Sequence, residues 1–421
     1  MASTNLNHTS TAVAIVGAGL SGLCLAQHLR RNGIDAQVYE RDAAPFARRQ
    51  GYRITVDGDG LGALRASLPA DLYGLAVTVA GRSGGYFRFM NQHLREAFKL
   101  SFEETEDGER QMDRQLLRSI LLTGLDDRVH YGRKATAIEA GPGGAHRLRF
   151  ADGASVAAQV VVAADGIGSA LREQILPGGG PEDTGVAGIY GRTPLAGGRV
   201  LPAELDRSGV LALGDRPGRA VFFTAMEFAQ DPKAAFAERA LEVPVPDLDE
   251  YVMWGVVMPH EEIPAGTAWN DAAPLRRLAQ DAAADYHPAV RRLIAAADHE
   301  STMLSRFAVG QRPGQWAVPN TAVMGDAVHA MPPFGAHGGN TALRDAALLG
   351  AKLVAAFAAG GPAGAVQDAL DAYRDEMVPY AYKAVDTAEG MMRRLTGSRG
   401  VQKWVMLKLL PSLRRPVVRA A

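Results

Sequence analysis

Apolar and polar positions along this chain follow two rhythms, one of strands and one of helices. Thr11–Val16 is a short, nearly continuous apolar run rich in β-branched residues, which predicts a buried strand. Leu23–Arg31 then has helical character until Gly33 stops it, and Asp35–Tyr39 predicts a second strand, so the chain opens on a β-α-β unit. From Leu61 to Phe102 the pattern is mixed, apart from apolar alternation over Tyr86–Met90. In Met112–Gly124, Leu116, Leu117, Ile120 and Leu121 share one face of a predicted helix. Val129–Glu139 and His146–Phe150 read as strands around the turn Gly141–Gly144, and Val160–Ala164 is apolar throughout, as a strand covered on both faces would be.

Composition shifts at the Gly/Pro-rich connector Pro177–Pro181. Strands are predicted beyond it at Gly188–Leu195, Val210–Leu213, Ala220–Met226 and Tyr251–Pro259, and helices around Ala273–Tyr286 and Pro288–Ala297. A last buried strand, Thr321–Met324, leads to a long helix starting near Gly338. The whole predicts an α/β protein in which a Rossmann-like domain (1–65, 103–177 and 305–380) carries an inserted sheet-plus-helix domain (66–102 and 178–304). Residues 381–421 are expected to form a C-terminal helical segment with a basic tail.

Bulk composition excludes several functions. At 421 residues the chain is too long for one ordinary core, and 45 Lys and Arg balance 46 Asp and Glu, so nothing points to nucleic acid. Cys24 is the single cysteine, which rules out an internal disulfide. The N-terminus lacks a basic region before its short apolar run, unlike a signal peptide. Ala346–Val366 is broken by Lys352, a Gly-Gly pair and Pro362, so it reads as a buried helix and not as a transmembrane segment. A cytoplasmic location is the expectation. Gly390–Ala421 holds eight Lys and Arg and no acid, and reads either as a terminal helix packed on the first domain or as a membrane-surface or partner-docking helix.

Three motifs carry chemistry. Gly17-Ala18-Gly19-Leu20-Ser21-Gly22 lies between the first strand and the first helix. In such a turn the first glycine permits the sharp bend, the second lets backbone touch a pyrophosphate, and the third allows close helix-strand packing. Glu40 ends the second strand, where a carboxylate accepts from a ribose hydroxyl, and Arg41 follows it. Gly17 to Gly22, Glu40 and Arg41 are therefore the first candidate dinucleotide contacts. A Glu-Arg end to this unit leans towards FAD over NAD. The second motif is Asp165-Gly166, at the end of the buried strand Val160–Ala164, where a carboxylate faces the ligand crevice of a doubly wound sheet; taken alone, it is more often just a turn. The third runs from Gly325-Asp326 through Pro332, Gly335, Gly338 and Gly339 to Asn340, where a helix N-terminus would face the negative edge of a reduced flavin.

In this order and spacing the three motifs resemble the single-component FAD monooxygenases of the para-hydroxybenzoate hydroxylase type, over residues 12 to about 355. Two residues depart from that family's pattern: His337 stands where Gln is common, and Ala336 where Gly is frequent. The resemblance implies a resident FAD, transient NADPH or NADH, and reaction through a C4a-hydroperoxyflavin that hydroxylates or epoxidises an aromatic, polyketide or terpenoid-like small molecule with O₂. It also implies an FAD contact at Arg114, whose other reading is a solvated helix charge, and a reach of Arg53 towards the isoalloxazine, where Arg53 is a possible catalytic residue. Arg48 and Arg49 are candidates for a nicotinamide nucleotide phosphate, with a solvated loop the equal alternative. No second Gly-x-Gly-x-x-Gly unit for a resident NADPH, no nucleophilic triad and no metal-ligand cluster is found. Tyr190, Arg192, Phe222, Trp254 and Phe334 are expected at the substrate, Phe334 first because its loop should face the flavin. A natural-product tailoring role is the family's habit. Other functions of the same cofactor fold are a flavin-dependent reductase, a halogenase, whose Trp-x-Trp-x-Ile-Pro signature is absent, or a non-catalytic FAD-binding protein.

Overall fold

The computed structural model describes residues 10–397 except 48–50, 82–84, 102–107, 142–143, 196–200, 203–204, 206–208, 242, 247 and 361–362. In chain order the elements are β1 (Ser10–Val16), α1 (Leu20–Arg31), β2 (Ala36–Tyr39), β3 (Arg53–Val56), α2 (Gly58–Ser67), α3 (Ala70–Thr78), β4 (Tyr86–Asn91), β5 (Glu96–Ser101), β6 (Arg110–Asp113), α4 (Arg114–Leu122), β7 (Val129–His130), β8 (Ala135–Ala140), β9 (His146–Phe150), β10 (Ser155–Ala163), α5 (Arg172–Ile175), β11 (Glu182–Pro194), β12 (Gly209–Leu213), β13 (Ala220–Met226), α6 (Pro232–Ala237), β14 (Tyr251–Pro259), α7 (Ala272–Ala282), α8 (Pro288–Ala295), β15 (Met303–Val309), β16 (Thr321–Val323), α9 (Asp326–His329), α10 (His337–Ala358) and α11 (Ala363–Gly397).

One seven-stranded sheet has the order β7-β2-β1-β10-β9-β8, with β16 also on β10. Its central strands β7, β2, β1, β10 and β16 are parallel. Val13, Ala14, Ile15, Val160, Val161 and Val162 are fully buried, because helices cover both faces and each position of such a strand must be apolar. The run read as one strand over Val129–Glu139 is two. Gly132 at φ +70 turns the chain after β7, which extends the parallel sheet, and β8 returns antiparallel to β9.

The second seven-stranded sheet has the order β15-β11-β14-β13-β12-β4-β5. Strict alternation sends Ile189, Val210, Val221, Phe223, Trp254 and Val256 to the face covered by α7 and α8. Leu211, Phe222, Tyr190 and Phe307 point to the opposite face, towards the first domain. The domain division expected from sequence needs adjustment at three points. Position 66 falls inside α2, and Leu68, Leu72, Leu75 and Ala76 of the α2–α3 segment join the core of the first domain. Residues 305–309 belong to β15 of the second sheet, and position 381 falls inside α11. No helix among the described residues is long and apolar enough to cross a membrane.

Asp113 ties the two domains together. One oxygen caps α4 by accepting from the Gln115 and Leu116 amides (2.8 and 3.0 Å), and the other accepts from the Tyr251 hydroxyl on β14 at 2.7 Å. Both side chains are buried. Asp113→Ala removes a cap and leaves a buried hydroxyl unpaired, so it is expected to cost about 2–4 kcal/mol, read as a lower urea midpoint. Combined with Tyr251→Phe, the loss should be less than additive by about 1 kcal/mol or more, since no orphaned hydroxyl remains. Additive losses would show that the pair does not interact.

Candidate active site

The parallel strands β1, β2, β10 and β16 end at one level. Val16 is in register with Tyr39 and with Ala163, and Ala163 with Val323. Each strand's carboxyl end carries one of the segments singled out from sequence: Gly17–Gly22 after β1, Glu40 after β2, Asp165 after β10 and Gly325-Asp326 after β16. That rim is where an open α/β sheet binds its ligand.

The glycines show how tightly the segments meet. Gly17 has φ +109, and a Cβ there would lie 2.4 Å from the Ala164 carbonyl oxygen and 2.9 Å from the Asp165 Cα. A Cβ on Gly22 would lie 2.1 Å from the Gly17 oxygen, and one on Gly325 3.1 Å from the Ser21 hydroxyl. Gly19 differs: nothing lies within 4 Å of its missing Cβ. It precedes α1 with no side-chain cap, so the positive end of that helix is open towards this empty space. Ala18 and Leu20 are buried beside it. The buried Glu40 carboxylate accepts from the amides of Ala18 (2.8 Å) and Asp42 (2.9 Å), which fixes it against the glycine loop. Arg41 is exposed.

Among the buried polar atoms without a protein partner, which occur in both domains, several lie at this rim. They include Nε of Arg53, Nε of Arg114 and Oδ1 of Asp165. Burial pushes the Asp165 carboxyl up and the Arg114 guanidinium down, the latter opposed by Asp326 and Asp113. Arg53 is pushed down to about 10 by burial, with Tyr251 and Glu109 acting against it. Arg114 therefore stands near both Asp326 and the Gly51 turn, where a Cβ would meet its Cδ at 3.0 Å. Orphaned buried polar groups are rare in folded chains, and a polar ligand seated among them would satisfy them. The open ground over Gly19 and these unpaired atoms fit a dinucleotide with a polar ring. Arg172 holds the Asp165-Gly166 loop to α9 by donating to the carbonyls of Ile167 (2.9 Å) and Ala327 (3.2 Å).

The third motif has its own scaffold. Asn340, expected as a ligand contact, spends its amide on backbone: it donates to the carbonyls of Thr55 (2.9 Å) and Ala336 (3.0 Å), and its oxygen accepts from the Asp57 amide (3.0 Å). It pins the start of α10 to the β3–α2 turn. Ala336 caps α10 at φ +59, a left-handed backbone that favours glycine, and this is the position where glycine is frequent in the resembled family. Gly335, at φ +82, leaves room for the His337 ring, whose Nε2 would lie 2.8 Å from an added Cβ. Gly338 and Gly339 have no close backbone neighbour, and Pro332 is buried. His329, fully buried, is bonded to the equally buried Asp345 at 2.6 Å, and Asp345 also accepts from the Gly325 amide (2.9 Å) and the Tyr380 hydroxyl (2.6 Å).

Of the residues expected at the substrate, Tyr190, Phe222 and Phe334 share one apolar cluster facing the cofactor loop. Phe334 packs edge-on against Phe307, with centroids 6.2 Å apart. Trp254 is a correction: it lies on the other face of β14, fully buried among the residues under α7 and α8, with Gly191 opposite leaving room for its ring. Tyr251, Met253 and Gly255 face the first domain, so alternation along that strand already excluded Trp254. Arg192 is on the facing side but is ion-paired to Asp298 at 3.2 Å. Arg48, Arg49 and the tail from 398 onward lie outside the described residues.

Sequence reasoning missed Asp345 and, beyond it, two further contributors. Arg118, buried, donates through Nε to the Ala18 carbonyl at 2.8 Å and so braces the glycine loop. It stands four residues after Arg114, on the same helix face, a spacing that could have revealed it. The end of α11 was the other: Met391, Met392 and Leu395 join the cluster of Phe222 and Phe334.

A family model described as an FAD binding domain matches residues 266–388, and one described as an NAD(P)-binding Rossmann-like domain matches residues 15–76. The chain is 30% identical over 376 residues to the dual O-methyltransferase/FAD-dependent monooxygenase CTB3 of Cercospora beticola, a match covering 82% of this chain and 42% of that protein. It thus spans less than half the length of the curated relatives of this type. It is 28% identical to the FAD-dependent urate hydroxylase of Mycolicibacterium vanbaalenii, over 80% of this chain and 78% of the other. A crystal structure described as that of an FAD-containing monooxygenase from Photorhabdus luminescens superposes with a TM-score of 0.73 at 27% identity, covering 91% of this chain and 99% of that one.

Proposed function

We propose that this chain is an FAD-dependent monooxygenase of the para-hydroxybenzoate hydroxylase type, which uses NAD(P)H and O₂ to place one oxygen atom on an aromatic or polyketide-like small molecule. The observation that carries this reading is the meeting of four strand ends at one rim, with Arg53, Arg114 and Asp165 holding unpaired buried atoms there. When bound, FAD supplies the redox chemistry: two electrons from NAD(P)H reduce O₂, one oxygen atom enters the substrate and the other leaves as water.

The chain's own residues do the rest. The open amides at the start of α1 and the bare Gly19 would take the pyrophosphate, and Glu40 would accept from the adenosine ribose while its bonds to Ala18 and Asp42 hold it still. Asp165, Asp326 and Arg114 would engage the hydroxyls and phosphate of the FAD chain between the two rings. The uncapped start of α10, behind Gly338 and Gly339, would face the ring and favour its reduced, anionic form. Arg53 would lie at the same ring and attract the nicotinamide nucleotide. The apolar side of the second sheet, with Phe334, would exclude water, so that reduced oxygen is spent on substrate and not lost as peroxide. We propose a cytoplasmic location, where reduced nicotinamide is supplied.

FAD-loaded protein should oxidise NADPH or NADH faster with a matching aromatic present, and the product should carry one oxygen atom from isotopically labelled O₂. Oxidation that yields only hydrogen peroxide with every aromatic tested would count against the reading.

A further inference from the structure

The side of the second sheet that faces the cofactor loop is paved with rings. In register across the strands lie Phe98 (β5), Phe89 (β4), Leu211 (β12), Phe222 (β13), Gly255 (β14) and Tyr190 (β11). Two of the rings on this side, Tyr190 and Phe87, lie against the sheet because glycines make room for them. A Cβ on Gly255 would fall 2.6 Å from Tyr190 Cε1, and one on Gly188 2.7 Å from Cε2, so the Tyr190 ring rests flat over two strands. A Cβ on Gly209 would fall 2.5 Å from Phe87 Cδ2, so the Phe87 ring rests flat over β12. Phe222 is within 15° of parallel to Phe87 at 6.1 Å, and Phe98 within 11° of parallel to Phe89 at 4.4 Å.

These rings are only partly covered: Tyr190, Phe87, Phe89, Phe98 and Phe222 all retain exposed surface, and Leu100 beside them is 47% exposed. The surface has a closed end and an open one. Phe334, buried against Phe307, stops it at the cofactor loop, and β5 is the free edge of the sheet. Between Phe98 and Tyr190 this row carries no charge, and Arg192, on the same face of β11, is paired with Asp298. From β4 to β11 the sheet crosses four strand spacings, roughly 19 Å. A single six-membered ring would cover only one of these side chains.

Resting on the reading as an FAD monooxygenase, we propose that this face is the floor of the substrate site and selects a flat, uncharged, polycyclic aromatic ring system. The substrate lies face-down across Phe87, Phe222 and Tyr190 with one end against Phe334, and it enters over the β4–β5 edge. Flat rings offer their π faces, which suit a fused planar partner better than a bent or saturated one. A carboxylate would find no free cation on this floor and would lose its hydration without return.

The test is calorimetric titration of the FAD-loaded full chain with three probes: a dihydroxyanthraquinone, which is tricyclic, flat and uncharged; para-hydroxybenzoate, with one ring and a charge; and adamantanol, compact and saturated. The anthraquinone should bind at least about 10-fold more tightly than either of the others. Gly255→Ala, which lifts the Tyr190 ring, and Phe222→Leu, which keeps bulk but removes the π face, should each weaken it by about 10-fold with FAD content unchanged. Equal binding of the three probes, or unchanged anthraquinone affinity in both variants, overturns the proposal. Binding that appears only after deletion of residues 398–421 also overturns it, because the floor would then be a seat for the chain's own end. Titration reads binding whether or not turnover occurs. A protein that binds the anthraquinone but takes up no FAD would sink the monooxygenase reading and leave the floor standing.

Discussion

Asp345→Ala is expected to destabilise the protein by about 3–5 kcal/mol and to release its flavin, although Asp345 lies below the site and its carboxylate bonds His329, the Gly325 amide and the Tyr380 hydroxyl, with the buried Tyr373 hydroxyl also against it. The side chain is fully buried and so is that of His329. Burial pulls the His329 proton affinity down, but the adjoining Asp345 carboxylate and, further off, Asp326 more than offset this, so the group titrates above its ordinary range. Removing the acid leaves an imidazolium or an unpaired ring in a dry interior. It also frees the Gly325 amide, which holds the Gly325-Asp326 turn at its left-handed φ of +61.

The sign of the pH dependence follows. A histidine whose folded affinity is raised holds its proton more tightly when folded than when unfolded, so the pair's stabilisation is fully present below the ordinary value of about 6.5 and fades as pH rises through the raised folded value. Asp345→Asn keeps an acceptor and removes the charge. Urea unfolding of wild type and Asp345→Asn across pH 6 to 9 should therefore show a gap that is widest at the acidic end and narrows upward. A gap that stays constant or widens with pH would mean that the histidine is neutral in the native state, and the assignment would fail. Flavin release in the alanine variant separates this turn-holding role from plain destabilisation, because at low temperature the variant should still be folded while holding FAD more weakly.

How much of this was legible in the sequence depends on the range of the interaction concerned. The three motifs were legible because strand, turn and carboxylate follow one another within a few residues, and a parallel sheet then brings strand ends to one rim whatever lies between. The face of a residue in the second sheet was legible in principle: counting by two from Tyr251 puts Trp254 on the far side, and the expectation took Trp254 by its position in the strand without applying that parity. Asn340 shows a different limit. The sequence gives its place at a helix start, but its partners Thr55 and Asp57 lie more than 280 residues away, and nothing local shows that its amide is already committed. Asp345 was overlooked because an acid in an Ala- and Leu-rich helix reads as a solvated position, unless the buried histidine facing it is known. Met391, Met392 and Leu395 were unreadable as pocket wall for the same reason, since only the path of α11 brings them to the sheet.

The contrast between Gly17 and Gly19 gives the sharpest separation of folding from binding. In Gly17→Ala two penalties fall on one residue. The backbone at φ +109 disfavours any side chain, and the new Cβ would lie 2.4 Å from the Ala164 carbonyl, a backbone atom that cannot swing aside. Stability should fall by about 2–4 kcal/mol even in the apoprotein, since both costs arise within the chain itself. Gly19→Ala is different: its backbone is extended at φ −74, and among the described residues none beyond its chain neighbours lies within 4 Å of the added methyl. The apoprotein should unfold within about 0.5 kcal/mol of wild type, as for a surface substitution. Its flavin should nonetheless be lost, because the methyl occupies the space that the open amides of α1 face, and FAD affinity should drop by about 100-fold or more, equivalent to about 3 kcal/mol. Thermal unfolding of the two apoproteins, followed by titration of each with FAD read by the flavin's absorbance, reads both effects. If Gly19→Ala retained wild-type affinity, the pyrophosphate would have to lie elsewhere, and the four strand ends would lose their claim to be the cofactor rim. If it instead unfolded like Gly17→Ala, the space beside Gly19 would be needed by the chain itself and could not be reserved for a ligand.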